Sequence, residues 1–126
     1  MASILTCKRR GYASLKLIQT ASFSSSRSVG QTWALIAPDY KDSLAKRMAV
    51  REQHLHRAKT DTNLILGGAM LDKQDGNMTG SLLVFDAPTK EAAERFVKED
   101  PYIGGQVWDR EKYQLIPIKV AILNKK

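Results

Sequence analysis

The chain has 126 residues, of which 43% are hydrophobic and 26% are charged, a composition typical of one globular domain. None of its apolar runs approaches the roughly 20 residues needed to span a bilayer, so we expect no transmembrane helix. The single cysteine, Cys7, excludes an intramolecular disulfide bond and a cysteine-based metal site.

The net charge of +7 lies mostly in the first 30 residues. These carry five Lys and Arg and no acidic residue, whereas residues 31–126 carry 15 basic and 13 acidic residues, a net charge of +2. A body so close to neutral, without aromatic side chains interleaved on its predicted strands, argues against nucleic-acid binding.

Residues 1–30 have the composition of a mitochondrial transit peptide, with no Asp or Glu, several Arg and Lys, and seven Ser. The stretch SILTCKRRGYASLKLI is able to form a basic amphipathic helix on a membrane or import receptor. A disordered tail is the alternative. We predict a leader that is removed between Ala13 and Gln31, a domain at 31–126, and a location in the mitochondrial matrix with no membrane association beyond import.

The body predicts elements in the order βαββαβ. Strands are expected at 32–38, 64–71, 78–87 and 113–123, with helices from the PDYKD turn to about Asp61 and over 88–100. Asp42 or Ser43 is expected to cap the first helix. The DG pair in DKQDGN predicts a hairpin turn, and Pro117 predicts a sheet edge or a bulge in the last strand.

This order is that of the ferredoxin-like α+β fold, in which two helices cover one face of a four-stranded antiparallel sheet. The segments LILGGAML and SLLVF are apolar at nearly consecutive positions, which predicts strands buried on both faces. Because helices cover one face only, we expect a second copy of the chain on the other face, in a homodimer.

The first helix combines an apolar stripe with cations. At about 100° of turn per residue, three apolar side chains share a narrow arc: Leu44, Met48 and Leu55. Arg51 projects into that arc, and Arg47 and His54 lie on its border. A cation within a packed stripe needs a carboxylate partner or an anionic ligand. We therefore interpret this helix as the edge of a pocket.

Four stretches of the body resemble the YCII-related family, a branch of the dimeric α/β-barrel superfamily: DSLAKRMAVREQHL (42–55), LILGGAM (64–70), MTGSLLVFD (78–86) and EDPYIGGQVW (99–108). The resemblance implies the ferredoxin-like fold, a sheet-to-sheet dimer, and an active centre of His54 and Asp100 in a pocket near the dimer interface. Characterised relatives include a dehydrochlorinase of a chlorinated aromatic, and more distant superfamily members isomerise lactones.

Histidine exchanges protons near neutral pH, so His54 is suited to act as a general acid or base, with Asp100 fixing its tautomer. A structural reading stays open for both residues. His54 is equally able to bond a backbone carbonyl, and Asp100 is a natural cap for a new helical turn that starts at Pro101.

The remaining candidates would bind the substrate or shape the pocket. Arg47 and Arg51 either hold an anion or lie over apolar surface with their guanidinium groups in water. Ser81 is a candidate ligand contact, although turn and strand chemistry also explains it. Tyr102 and Trp108 either wall the pocket or belong to the core. We expect no metal, since His54 and His56, two residues apart, face different sides of the helix, and no cofactor, since the sequence contains no cofactor motif.

Two functions fit these residues. The first is a small mitochondrial enzyme in which His54 transfers a proton on a small anionic or cyclic substrate, by isomerisation, elimination or hydrolysis. The second is a non-catalytic dimeric protein for ligand binding or assembly, which a catalytic set of one histidine and one aspartate leaves open.

Overall fold

A computed structural model describes residues 30–124, and residues 1–29 of the predicted leader lie outside the described residues. The described elements are β1 (Gln31–Pro38), α1 (Leu44–Thr60), β2 (Leu64–Leu71), β3 (Met78–Ala87), α2 (Lys90–Lys98), α3 (Pro101–Gly104) and β4 (Gln114–Ile118). They confirm the predicted order, and the helical turn expected to start at Pro101 is present as the short α3. The last strand ends at Ile118, so its predicted extension to residue 123 is wrong. Between residues 30 and 124, no helix is long and apolar enough to cross a bilayer.

The strands form one antiparallel sheet in the order β2-β3-β1-β4. This is the predicted α+β arrangement, with β1 and β3 in the centre and β2 and β3 joined as a hairpin. Pro117 lies on the edge strand β4, where its missing N–H leaves no gap in the sheet interior. Asp75 of the DG pair adopts a positive φ of 56° in the hairpin turn.

The core lies between one sheet face and the helices α2 and α3. Residues that pair directly across antiparallel strands point to the same face. Two such rows form the inward face: Leu64-Phe85-Trp33-Pro117 and Gly67-Leu83-Leu35-Leu115. The helical side chains that cover them are Ala93, Val97, Tyr102 and Ile103. The central strands and the second half of the chain therefore supply most of the core.

The opposite sheet face is apolar but uncovered by any helix within residues 30–124. A continuous row crosses all four strands: Leu66, Val84, Ala34 and Ile116. Leu66 is 47% exposed, and β2 is exposed along most of its length. The prediction that β2 and β3 are buried on both faces is thus wrong for the single chain.

The helix α1 buries a different side from the expected one. Leu44 and Met48 of the predicted apolar arc are 37% and 53% exposed, whereas Arg47 and His54 are only 3% and 7% exposed. The inward side of α1 is held by hydrogen bonds and ion pairs to other elements, so its apolar spacing does not show which side is buried.

The N-termini of α1 and α2 differ in their capping. Ser43 occupies the N-cap position of α1, but its hydroxyl donates to the Tyr40 carbonyl at 2.7 Å, and among the described residues neither it nor Asp42 caps the helix. That capping prediction is wrong. Thr89 does cap α2, since its hydroxyl oxygen accepts a bond from the Ala92 N–H at 3.1 Å.

Candidate active site

The helix α1 carries His54 to Asp100, which lies at the start of α3. The Nδ1 atom of His54 is 2.8 Å from Asp100 Oδ1 and 3.0 Å from Oδ2, and both side chains are buried. An ionised carboxylate only accepts hydrogen bonds, so Nδ1 carries the proton of the neutral imidazole. The other ring nitrogen, Nε2, is then the basic atom.

Asp100 has two roles at once. Its Oδ1 also accepts a hydrogen bond from the Tyr102 N–H at 2.9 Å, and Pro101 occupies the first turn of α3. Asp100 is therefore the cap of a short helix as well as the partner of His54. The two readings of this residue hold together, because a carboxylate has enough lone pairs for several donors.

Arg57 is a further member of this cluster that the sequence analysis missed. Its NH1 donates to Asp100 Oδ2 at 2.9 Å, and its NH2 donates to the Phe96 carbonyl at 2.7 Å. The available signal was its spacing, because residues three apart on a helix share a face. Arg57 follows His54 by that spacing.

Aromatic rings surround the imidazole of His54. The Tyr102 ring stacks on it with centroids 4.0 Å apart and an interplanar angle of 16°, and Trp108 meets it edge-on at 5.8 Å. Trp108 is fully buried, so it belongs to the core, whereas Tyr102 is both buried and part of a cavity wall. The rings restrict the plane of the imidazole.

Burial raises the pKa of Tyr102 above its ordinary value of 10.0. The nearby cations Arg47 and Arg51 oppose this pKa shift, while the carboxylates of Asp100 and Asp39 add to it. The hydroxyl is consequently protonated at neutral pH and is able to donate a hydrogen bond.

Arg47 is buried in a polar network of its own. Its NH1 donates to both carboxylate oxygens of Asp39 at 2.9 and 3.0 Å, and its NH2 donates to the Ser81 hydroxyl oxygen at 2.9 Å. The Nε atom has no hydrogen-bond partner among residues 30–124. The interpretation with the guanidinium in water is therefore wrong for Arg47.

Ser81 and Asp39 complete that network. The Ser81 oxygen also accepts a bond from the Trp108 indole N–H at 3.1 Å, so two protein donors already use it. Burial raises the pKa of Asp39, and the guanidinium of Arg47 opposes the shift. Ligand roles for Arg47 and Ser81 stay predictions. No local sequence signal pointed to Asp39, because its pairing with Arg47 depends on how α1 packs beside β1.

A cavity of about 360 Å³ lies between α1 and β2, so α1 borders a pocket as predicted. Gly67 and Ala69 face inward from β2, and these small residues leave space beneath the helix. A Cβ atom on Gly67 would lie 2.9 Å from the Leu83 side chain. Apolar side chains form most of the wall: Leu55, Ala58, Leu64, Met78 and Leu83.

The helix α1 supplies the basic side chains of the cavity wall. Arg47, Arg51, His54 and Lys59 all line it. Among residues 30–124, Arg47 and Arg57 form ion pairs with carboxylates, and His54 is hydrogen-bonded to Asp100, whereas Arg51 and Lys59 have no ionic partner. The cavity thus brings His54, Arg47, Arg51 and Tyr102 together, while Ser81 and Asp100 lie behind its wall.

A YCII-related domain model matches residues 32–119. The chain belongs to the YCII-related family. Protein YciI of Escherichia coli is 32% identical over 85 residues, which are 61% of this chain and 87% of that protein. Aspercryptin biosynthesis cluster protein B of Emericella nidulans is 26% identical over 125 residues, which are 90% of this chain and 78% of that protein.

A solved structure shares the fold of this YCII-related chain. It is 5-chloro-2-hydroxyhydroquinone dehydrochlorinase from Burkholderia phenoliruptrix, in complex with 2,5-dihydroxybenzoquinone. The two structures superpose with a TM-score of 0.64 and 22% sequence identity, over 71% of this chain and 95% of that one. At this identity the likeness supports the ferredoxin-like fold.

Proposed function

We propose that this YCII-related protein is a proton-transfer enzyme of the isomerase, lyase or hydrolase type, acting on a small anionic or cyclic compound. The observation that carries the proposal is the 2.8 Å contact between His54 Nδ1 and Asp100, at the wall of a cavity of about 360 Å³. A buried carboxylate on one ring nitrogen leaves the other one basic and oriented.

In this mechanism His54 Nε2 removes a proton from the bound ligand, and Asp100 stabilises the imidazolium that forms. Returning the proton to a different ligand atom gives isomerisation, whereas loss of an anion from the ligand gives elimination. A positioned general base of this kind accelerates a reaction by about 10²–10⁴-fold.

The charge and size of the cavity favour a small acidic ring as the substrate. Its volume lies at the lower end of the range of about 300–1,000 Å³ for small-molecule sites. The walls are mostly apolar, and Arg51 and Lys59 supply cations without ionic partners among the described residues. The dehydrochlorinase of similar fold was crystallised with an acidic hydroxyquinone, which makes that compound a suitable probe.

The test follows the exchange of ring hydrogens of 2,5-dihydroxybenzoquinone for deuterium in D₂O by NMR. We expect the wild-type protein to accelerate the exchange and His54→Gln to lose at least about 10²-fold of that rate. The matched control is His56→Gln, which changes an exposed histidine on the same helix and should retain the wild-type rate. A ligand that binds without any exchange in the wild type would favour the alternative, a non-catalytic dimeric ligand-binding or assembly protein.

We further propose that a second copy of the chain covers the outward sheet face. The row from Leu66 to Ile116 crosses all four strands, and exposed apolar rows of this kind mark interaction surfaces. Light scattering on the purified protein should give the mass of a dimer. Leu82, an exposed residue two positions before Val84 and therefore on the same face of β3, is the site of the test, and Leu82→Glu should give a folded monomer. Gln53→Glu, an exposed change on α1, is the control. A monomeric wild type would contradict this proposal.

The mitochondrial location rests on the composition of the leader. We propose that residues 1–30 direct the protein to the mitochondrial matrix, because they combine five basic residues with no acidic one. Fusion of residues 1–30 to a fluorescent protein should give import and cleavage. A fusion that stays in the cytosol would refute this assignment.

A further inference from the structure

Arg57 links the His54–Asp100 pair to the end of α2. It lies about one turn after His54 on α1, and its NH1 donates to Asp100 Oδ2 at 2.9 Å. Its NH2 donates to the Phe96 carbonyl at 2.7 Å. Carbonyls in the last turn of a helix lack partners within that helix, so this bond also stabilises the end of α2.

The guanidinium of Arg57 is fixed by aromatic contacts as well. Its Cζ atom lies 4.4 Å from the centre of the Phe96 ring, and Phe96 stacks on Phe85 of β3 with centroids 4.0 Å apart. Phe85 is fully buried in the core. A planar cation held by a carboxylate, a carbonyl and a ring has little freedom to move.

The carboxylate of Asp100 is therefore held at both oxygens. Oδ1 accepts from the Tyr102 N–H at 2.9 Å, and Oδ2 accepts from Arg57 at 2.9 Å. The imidazole Nδ1 contacts both oxygens, at 2.8 and 3.0 Å. Rotation of the carboxylate would break the bond from Tyr102 or the bond from Arg57. These two bonds therefore fix the orientation in which the carboxylate accepts the hydrogen bond from the imidazole.

We infer that Arg57 is a positioning residue of the site: by clamping Asp100 it holds His54 in the Nδ1–H tautomer, with Nε2 available to a ligand. The catalytic consequence of this role rests on the proposed function. The tautomer itself is measurable without any substrate, so the two claims are tested separately.

Long-range ¹H–¹⁵N NMR spectra of the full-length protein with labelled histidine report the tautomer directly. The sample is kept at about pH 8.5, above the ordinary titration range of histidine. His54 and His56 are the two histidines of the chain, and the exposed His56 serves as an internal reference. We expect a single Nδ1–H form for His54 in the wild type.

In Arg57→Gln the Asp100 carboxylate loses the bond that fixes its rotation, so it is no longer held in line with Nδ1, and we expect an Nε2–H form of His54 to appear beside the Nδ1–H form. Arg57→Lys, which retains a cation for Asp100, should restore most of the Nδ1–H form. Arg57→Met keeps an apolar side chain against Phe96 and gives the same readout should the glutamine variant fail to fold.

Thr89→Ala distinguishes the proposed positioning role of Arg57 from a purely structural role at the end of α2, because it removes the cap at the other end of that helix. This variant should lower the melting temperature and leave the His54 tautomer unchanged. Arg57→Gln and Arg57→Met proteins that keep the wild-type tautomer overturn the inference. If the tautomers are as expected but the protein does not catalyse deuterium exchange, the proposed function is overturned and the role of Arg57 stands.

Discussion

Replacing Ser81 by alanine tests the buried network that joins α1 to the sheet. The Ser81 hydroxyl oxygen accepts bonds from Arg47 NH2 at 2.9 Å and from the Trp108 indole N–H at 3.1 Å. Both donors are buried, so the substitution removes one acceptor and leaves two donors without a partner. Each unsatisfied buried donor costs about 1–3 kcal/mol, and a charged one costs more, so we expect Ser81→Ala to lower the free energy of unfolding by about 4 kcal/mol.

The assay is urea unfolding followed by circular dichroism and tryptophan fluorescence, with the m value compared between variants. Ser43→Ala is the matched control, because Ser43 is also buried but its hydroxyl only donates, to the Tyr40 carbonyl at 2.7 Å. Tyr40 lies at the surface, where water replaces the lost donor, so we expect a loss below about 1 kcal/mol. Equal losses in the two variants would refute this reasoning, since they would mean that Arg47 and Trp108 find other acceptors.

Three further outcomes are expected. Burial raises the pKa of Tyr102, so the stability from its protonated form is complete below the ordinary pKa of 10.0 and is lost as the pH rises through the folded-state value. Alkaline urea titrations should therefore show a steeper loss for the wild type than for Tyr102→Phe, and parallel curves would contradict this. Arg51→Gln and Lys59→Gln should each weaken 2,5-dihydroxybenzoquinone binding by about tenfold, or about 1.4 kcal/mol, in calorimetric titrations. The exposed Lys46→Gln on the same helix should not weaken it, and equal effects would indicate a general charge effect. Thr89→Ala should cost about 1 kcal/mol in urea unfolding through the lost cap, and an unchanged midpoint would show that the cap contributes nothing.

The fold was predictable because its signals are local. Alternating and helical spacing of apolar residues, the DG turn and the Asp100-Pro101 pair each act over a few residues and gave the element order. The short last strand is an exception. Its apolar residues continue past Ile118, but the described residues of β1 pair with β4 only up to that point.

The orientation of α1 was not predictable from its own residues. Apolar spacing placed Leu44 and Met48 against the sheet, whereas the buried side is set by partners from other elements. Arg47 is buried because it donates hydrogen bonds to Asp39, which directly follows β1, and to Ser81 of β3. Burial of a charged side chain depends on such partners, which the periodicity of a single helix does not contain.

The candidate site was likewise predictable only in part. The pairing of His54 with Asp100 follows from the family resemblance, and the observed 2.8 Å distance agrees with it. Arg57 shares a helix face with His54 at a spacing of three residues, so it was within reach of sequence reasoning. The cavity itself depends on Gly67 and Ala69 lying inward on β2, which the register of the sheet decides.

A crystal structure with 2,5-dihydroxybenzoquinone tests most directly whether Asp100 turns the basic nitrogen of His54 toward a ligand beneath α1. We expect a ligand atom within about 3.5 Å of His54 Nε2 and an acidic oxygen of the ligand facing Arg51. A ligand bound away from the cavity, with Nε2 hydrogen-bonded to a protein group, would contradict the account.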